Sequence, residues 1–183
     1  MGYALLVIDM LNDFIRGKLA LRGAETIIGN IAALIKGARD SGTPVIYLCD
    51  SHLKGIDHEL KLWGDHALKG EIGSKIIDEL SPTRRDYVVE KRRYDGFMGT
   101  DLDLLLRELK ADEVILTGLA TDICVLHTAA GAFFRGYGIV VVKDATLATK
   151  PERQEIFLNY MREIYGAKLM VTEEVLSKLF IRK

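Results

Sequence analysis

The sequence predicts an α/β fold: a mainly parallel six-stranded sheet covered by helices on both faces. Short apolar runs rich in Val and Ile alternate with longer amphipathic stretches, the pattern of strand and helix units building such a sheet. Helix-stop signals precede strands at Ser41-Gly42-Thr43-Pro44 and at Gly136-Tyr137-Gly138. With 183 residues, 49% of them hydrophobic, the chain can fill one core, so a single domain over residues 1–183 is expected.

Taken in order, Ala4 to Ile8 is an uninterrupted apolar run and reads as the first strand. A helix over roughly 24–40 follows, closed by Gly42 and Pro44, and Val45 to Cys49 forms the second strand. Ser51 to Glu71 is a long irregular stretch holding three of the four histidines and the single Trp, and long loops in compact domains are often functional. Apolar residues near helical spacing predict a helix at 72–80, before a third strand at Tyr87 to Glu90. Helices at 100–109, 122–135, 152–164 and 173–180 then alternate with strands Val114 to Thr117, Ile139 to Val142 and Lys168 to Val171. Pro151 suits the first turn of its helix.

Twenty-five basic and 26 acidic side chains nearly cancel, which gives no electrostatic argument for nucleic acid or an anionic membrane. No apolar run reaches membrane-spanning length, and the opening residues lack the features of a signal peptide, so a cytoplasmic protein with a small-molecule partner is expected. Two cysteines are too few for a disulfide framework. No G-x-G-x-x-G follows the first strand, where Asp9-Met10-Leu11-Asn12 stands instead, and no organic cofactor is expected.

In parallel sheets of this kind ligands bind outside the carboxyl ends of the strands. Asp9 ends the first strand, Asp50 follows the second, Lys91 ends the third, and Gly118 to Cys124 follows the fourth, so four polar clusters converge on one edge. Cys124 falls in the first turn of a helix, where unpaired N–H groups and the helix dipole favour thiolate and could bind an oxyanion. Lys91 supplies a cation, and Asp9 a carboxylate able to take the thiol proton. Packing roles stand beside these: Asp9 as a strand-end cap, Lys91 as one of the charged run Glu90-Lys91-Arg92-Arg93, and Cys124 as a small buried hydrophobe. His127, three residues beyond Cys124 on the same helix face, allows a rival Cys–His pair. Cys49, inside an apolar run, is read as packing. Asp50 and His52, two apart in an extended chain, project to one face and could meet one ion.

Three segments resemble the isochorismatase-like cysteine hydrolases, which include nicotinamidase, N-carbamoylsarcosine amidohydrolase and ureidoacrylate amidohydrolase. They are Leu6 to Phe14, Lys91 to Leu102 and Leu116 to Val125. The resemblance implies a three-layer α/β/α fold, a catalytic triad of Asp9, Lys91 and Cys124, and a cis peptide between Leu119 and Ala120 that turns N–H groups toward a substrate oxygen. It implies hydrolysis of an amide C–N bond, because relatives that cleave the vinyl ether isochorismate lack the cysteine. Nicotinamide to nicotinate is the leading expectation, a carbamoyl or ureido amide the runner-up, and a non-catalytic small-molecule binder the alternative of another class.

His66, in Trp63-Gly64-Asp65-His66, is placed as nicotinamidases place a metal ligand. Asp50, His52 and His66 would then hold Zn²⁺, with Fe²⁺ or Mn²⁺ as alternatives. His58 could replace His66, or these residues could simply line a polar loop. The spacing from Asp50 to His66 is shorter than in nicotinamidases, Ala67 stands where they often carry Cys, and the compact Lys91-Arg92-Arg93-Tyr94 segment looks more like the metal-free carbamoyl-type enzymes. Phe14 and Trp63 match the aromatic walls of nicotinamidases, and Tyr94 could belong to the same lining or to a subunit contact. A homo-oligomer is also implied, through the helix containing Phe133 and Phe134 with Tyr137.

Overall fold

The computed structural model describes residues 2–180; residue 1 and residues 181–183, the ends of the expected domain, lie outside the described residues. Six strands form one parallel sheet: β1 (Tyr3–Ile8), β2 (Val45–Asp50), β3 (Tyr87–Lys91), β4 (Glu113–Leu119), β5 (Gly138–Leu147) and β6 (Lys168–Met170), in the order β3-β2-β1-β4-β5-β6. Seven α-helices accompany them among the described residues: α1 (Asn12–Ile15), α2 (Ile28–Ser41), α3 (Leu60–Trp63), α4 (Leu102–Glu108), α5 (Leu126–Phe134), α6 (Pro151–Tyr165) and α7 (Thr172–Lys178). No helix among the described residues is long and apolar enough to cross a membrane.

Strand alternation divides the core into two apolar layers. Leu5 and Val7 of β1, with Val45 and Tyr47 of β2, pack against Ile31, Leu34 and Ile35 of α2 and Val175 of α7. Ala4, Leu6 and Ile8 point the other way and join Leu102 and Leu106 of α4, Ala129 and Ala132 of α5, and Leu158 and Met161 of α6. The three layers match the expected α/β/α arrangement.

The helix expected at 72–80 does not form. Short 3₁₀ turns at Ile72–Ser74 and Asp78–Leu80 replace it, because residues 10–12 capture the backbone between them. Asn12 N–H donates to Lys75 O at 3.0 Å, Ile77 N–H donates to Met10 O at 3.1 Å, and Ile76 bridges Leu11. The segment after β1 is thereby stitched to the loop ahead of β3. Two short helices, α1 and α3, were not anticipated; both are too brief to leave a periodic signal. The strands β4 and β5 run past their expected ends, and their register shifts between Leu116 and Gly118. Phe133 and Phe134 are exposed, whereas Tyr137 is buried and its hydroxyl donates to Asp103.

Candidate active site

The strand order reverses direction between β1 and β4, and the site forms at their carboxyl ends. Gly118 permits the close approach there: its φ is +100°, and a Cβ would meet Ile8 O at 2.0 Å. The next peptide, Leu119–Ala120, is cis. The chain then enters a π-helical turn, Thr121–Val125, that carries Cys124 and runs directly into α5.

Asp9 leaves β1 in the left-handed region, with φ 52°, a conformation costly for a non-glycine residue and held here by its surroundings. Its N–H donates to Leu48 O, and its Oδ1 accepts the N–H of Asp50, both at 2.8 Å. Lys91 follows the alternation of β3 inward, so it is buried while Arg92 is exposed, which separates it from the solvated charged run. Its Nζ lies 2.8 Å from Asp9 Oδ2, 2.6 Å from Asp50 Oδ1 and 3.5 Å from Cys124 Sγ.

This buried cluster sets two carboxylates against one ammonium. Burial, reinforced by Asp50, lifts the Asp9 carboxyl to about 6 despite Lys91. Burial also opposes ionisation of Asp50, but Lys91 and His52 outweigh it and hold Asp50 below the usual carboxylate range. Burial disfavours the Lys91 ammonium too, yet Asp50 and Asp9 keep it charged well beyond the ordinary lysine range. Cys124 departs from the sequence expectation of a lowered pKa. Burial pushes its thiol well up, Lys91 only partly offsets this, and Asp9 adds to it, so the resting sulfur is a thiol with a carboxylate beside it.

Above the cluster opens a cavity of about 380 Å³. Asp9, Asp50, Leu119, Ala120 and Cys124 line its floor, and Phe14, Trp63 and Tyr94 line its walls. Trp63 Nε1–H donates to Tyr94 Oη at 2.8 Å, which fixes the two rings together. His127 does not border this cavity. Its Nδ1 lies 2.7 Å from Ile123 O, and it faces a separate groove on the far side of Tyr94, together with the exposed His58.

Asp50, His52 and His66 are brought together, each buried, with candidate ligand atoms within 4.8 Å of one another. His52 Nδ1 lies 3.0 Å from Asp57 Oδ2, and His66 Nδ1 donates to Gly64 O at 2.8 Å, leaving Nε2 of each ring free to ligate. His52 Nε2 is buried without a hydrogen-bond partner, and so is Oε2 of Glu59, 3.7 Å away. Burial lowers the pKa of His66, which favours the neutral form a ligand needs, whereas at His52 burial is outweighed by Asp50, Asp57 and Glu59 and the pKa is raised. Two orphaned polar atoms pointing at one spot fit a divalent cation.

Three residues of this neighbourhood escaped the sequence reading. Glu59 lines the cavity, and burial with Asp50 lifts its carboxyl to about 7. Asp57 orients His52 and is itself held by Arg92. Asp13 is buried, accepting the Ala67 N–H at 2.8 Å, and Gly73 packs so closely that a Cβ there would meet Asp13 Oδ2 at 2.1 Å. The acidic residues around His58 were the one visible trace of the first two.

A thiol, a carboxylate and a buried ammonium beneath a small cavity on this fold place the protein among hydrolases of amide C–N bonds. The chain belongs to the isochorismatase family, the Isochorismatase domain matching residues 3–174. Among solved structures it is similar to N-carbamoylsarcosine amidase from Thermoplasma acidophilum, with 45% identity, 95% of this chain and 98% of that one covered, and a TM-score of 0.89. It is also similar to the pyrazinamidase/nicotinamidase of Streptococcus mutans, with 37% identity, coverage of 92% and 100%, and a TM-score of 0.87. The pyrazinamidase of Pyrococcus horikoshii in complex with zinc shares 27% identity over 93% of this chain and 99% of that one, with a TM-score of 0.86.

Proposed function

We propose that the protein hydrolyses the C–N bond of a small amide through a thioester on Cys124, with Asp9 and Lys91 as its catalytic partners. The observation that carries this reading is Lys91 Nζ standing between Asp9 Oδ2, at 2.8 Å, and Cys124 Sγ, at 3.5 Å. Asp9 takes the thiol proton, and Lys91 stabilises the thiolate as it forms. The sulfur attacks the amide carbon, and the N–H groups of Ala120 and Cys124 receive the oxyanion. The C–N bond then breaks, and the amine or ammonia leaves with the proton from Asp9. Water attacks the thioester while Asp9 takes its proton, which releases the acid and restores the thiol.

Asp50, His52 and His66, joined by Glu59, would hold a divalent cation beside this cluster, Zn²⁺ being the first choice for such a donor set. Such an ion supplies Lewis acidity, polarising a bound oxygen and lowering the pKa of a bound water. The chain's own residues prepare the site: Asp57 and the Gly64 carbonyl fix the two imidazoles, while Lys91 holds the other oxygen of Asp50.

The walls formed by Phe14, Trp63 and Tyr94 suit a flat amide, for which nicotinamide is the leading case. A carbamoyl amide is the second reading, favoured by the 45% identity with the N-carbamoylsarcosine amidase and by the short spacing from Lys91 to Tyr94. Ammonia release from nicotinamide, pyrazinamide, N-carbamoylsarcosine and ureidoacrylate tests the function. Turnover of at least one, lost in Cys124→Ala, is the expected result; release from none would favour a binding protein.

A further inference from the structure

We infer that Arg22 anchors an anionic group of the substrate, a carboxylate carried beside the scissile amide; this rests on the amide-hydrolase reading above and narrows its substrate class.

The two ends of the cavity differ in charge. Its floor holds the buried acids Asp9, Asp50 and Glu59, and the one ammonium there, Lys91, is already divided between Asp9 and Asp50. All the acids that line the cavity stand at this end, so the outer end is where an anionic substituent meets no like charge. Outward lies the segment Lys18 to Arg22, every residue of which borders the cavity. Lys18 is engaged only by a loose pair with Glu71, 3.8 Å away and exposed. Arg22 has no hydrogen bond or ion pair to any described residue, although its neighbours in the loop are firmly tied.

Those ties come from α1. Lys18 N–H donates to Asp13 Oδ1 at 3.2 Å, Leu19 N–H to Asp13 O at 2.9 Å, and Leu21 N–H to Phe14 O at 3.0 Å. Gly23 then turns with φ +88°, and Ala24 N–H returns to Leu21 O at 3.0 Å. A buried carboxylate therefore fixes the backbone that carries Arg22, exposed and unpaired, on the border of the cavity holding Cys124. The planar fork of arginine matches a carboxylate in two parallel hydrogen bonds. A neutral ring amide offers it no charge to pair with. The matching ligand is a small amide or carbamoyl compound bearing a carboxylate.

Calorimetric titration of the Cys124→Ala protein with N-carbamoylsarcosine and with its methyl ester reads the anchor without turnover. The acid is expected to bind at least about tenfold more tightly than the ester, a preference that narrows as salt is raised. Adding Arg22→Gln should weaken the acid by about tenfold and leave the ester unchanged, and Arg22→Lys should recover part of the loss. Equal binding of acid and ester, no binding of the acid, or equal weakening of both by Arg22→Gln would overturn the inference. Absence of turnover by the wild-type enzyme on every amide would refute the proposed reaction instead, with the binding comparison still decisive for Arg22.

Discussion

Lys91 Nζ donates a 2.6 Å hydrogen bond to Asp50 Oδ1 with both side chains buried, and the same nitrogen faces Asp9 and Cys124. Lys91 is thus the charge on which the rest of the cluster depends. Lys91→Ala would leave Asp9 and Asp50 buried without their cation, and breaking a buried pair in this way costs about 3–5 kcal/mol. Chemical denaturation of the variant should show a loss of this size, together with loss of amide turnover. A stability within about 0.5 kcal/mol of wild type, as at an ordinary surface site, would mean that the pair is not formed.

The Asp9 carboxyl, lifted to about 6, gives opposite pH trends in activity and stability. In its proposed role as base it must be ionised, so kcat/KM should rise with pH through about 6 and then level off. Its folded pKa lies above the ordinary 3.8, so between these values the folded state binds more protons than the unfolded. The contribution of Asp9 to stability is therefore fully present below about 3.8 and is lost as pH rises through about 6. Subtracting the stability–pH curve of Asp9→Asn from that of wild type isolates this trend. A difference that grew more stabilising with rising pH would contradict the burial of this carboxylate.

His127 faces the groove beyond Tyr94 rather than the cavity. His127→Gln should keep kcat/KM within about threefold of wild type, since a surface substitution away from the chemistry changes free energies by only a few tenths of a kcal/mol. A loss as deep as that of Cys124→Ala would restore the Cys–His pair.

The orphaned Nε2 of His52 and Oε2 of Glu59 account for themselves if a cation joins them. Elemental analysis of the purified protein should find about one divalent ion per chain, and a chelator should lower Tm through the lost binding energy. His52→Ala should abolish the stoichiometry. A protein with no metal and an unchanged Tm in chelator would instead make His52 a buried cation among Asp50, Asp57 and Glu59, whose attraction raises its pKa against the opposing effect of burial.

Much of the arrangement was legible in the sequence because it obeys local rules. The apolar runs gave the strands, and strand ends placed Asp9, Asp50, Lys91 and Cys124 on one edge. What was not legible depends on contacts between distant segments. Residues 72–80 have helical spacing, yet Met10 and Asn12 take their backbone groups. Asp57 and Glu59 reach His52 only because the chain turns back at Leu53 to Asp57, ahead of α3. The position of Cys124 at a helix start suggested an acidic thiol, but its depth reverses the direction of the shift. Arg22 carries no motif, and its relation to the cavity arises from a buried Asp13 nine residues earlier.

If Cys124 is the nucleophile, amide turnover by folded Cys124→Ala shows it most directly, on whichever amide the wild-type enzyme hydrolyses. A fall of at least about 10³-fold in kcat is expected, as removal of a covalent nucleophile produces. Retention of kcat within about tenfold of wild type would contradict it.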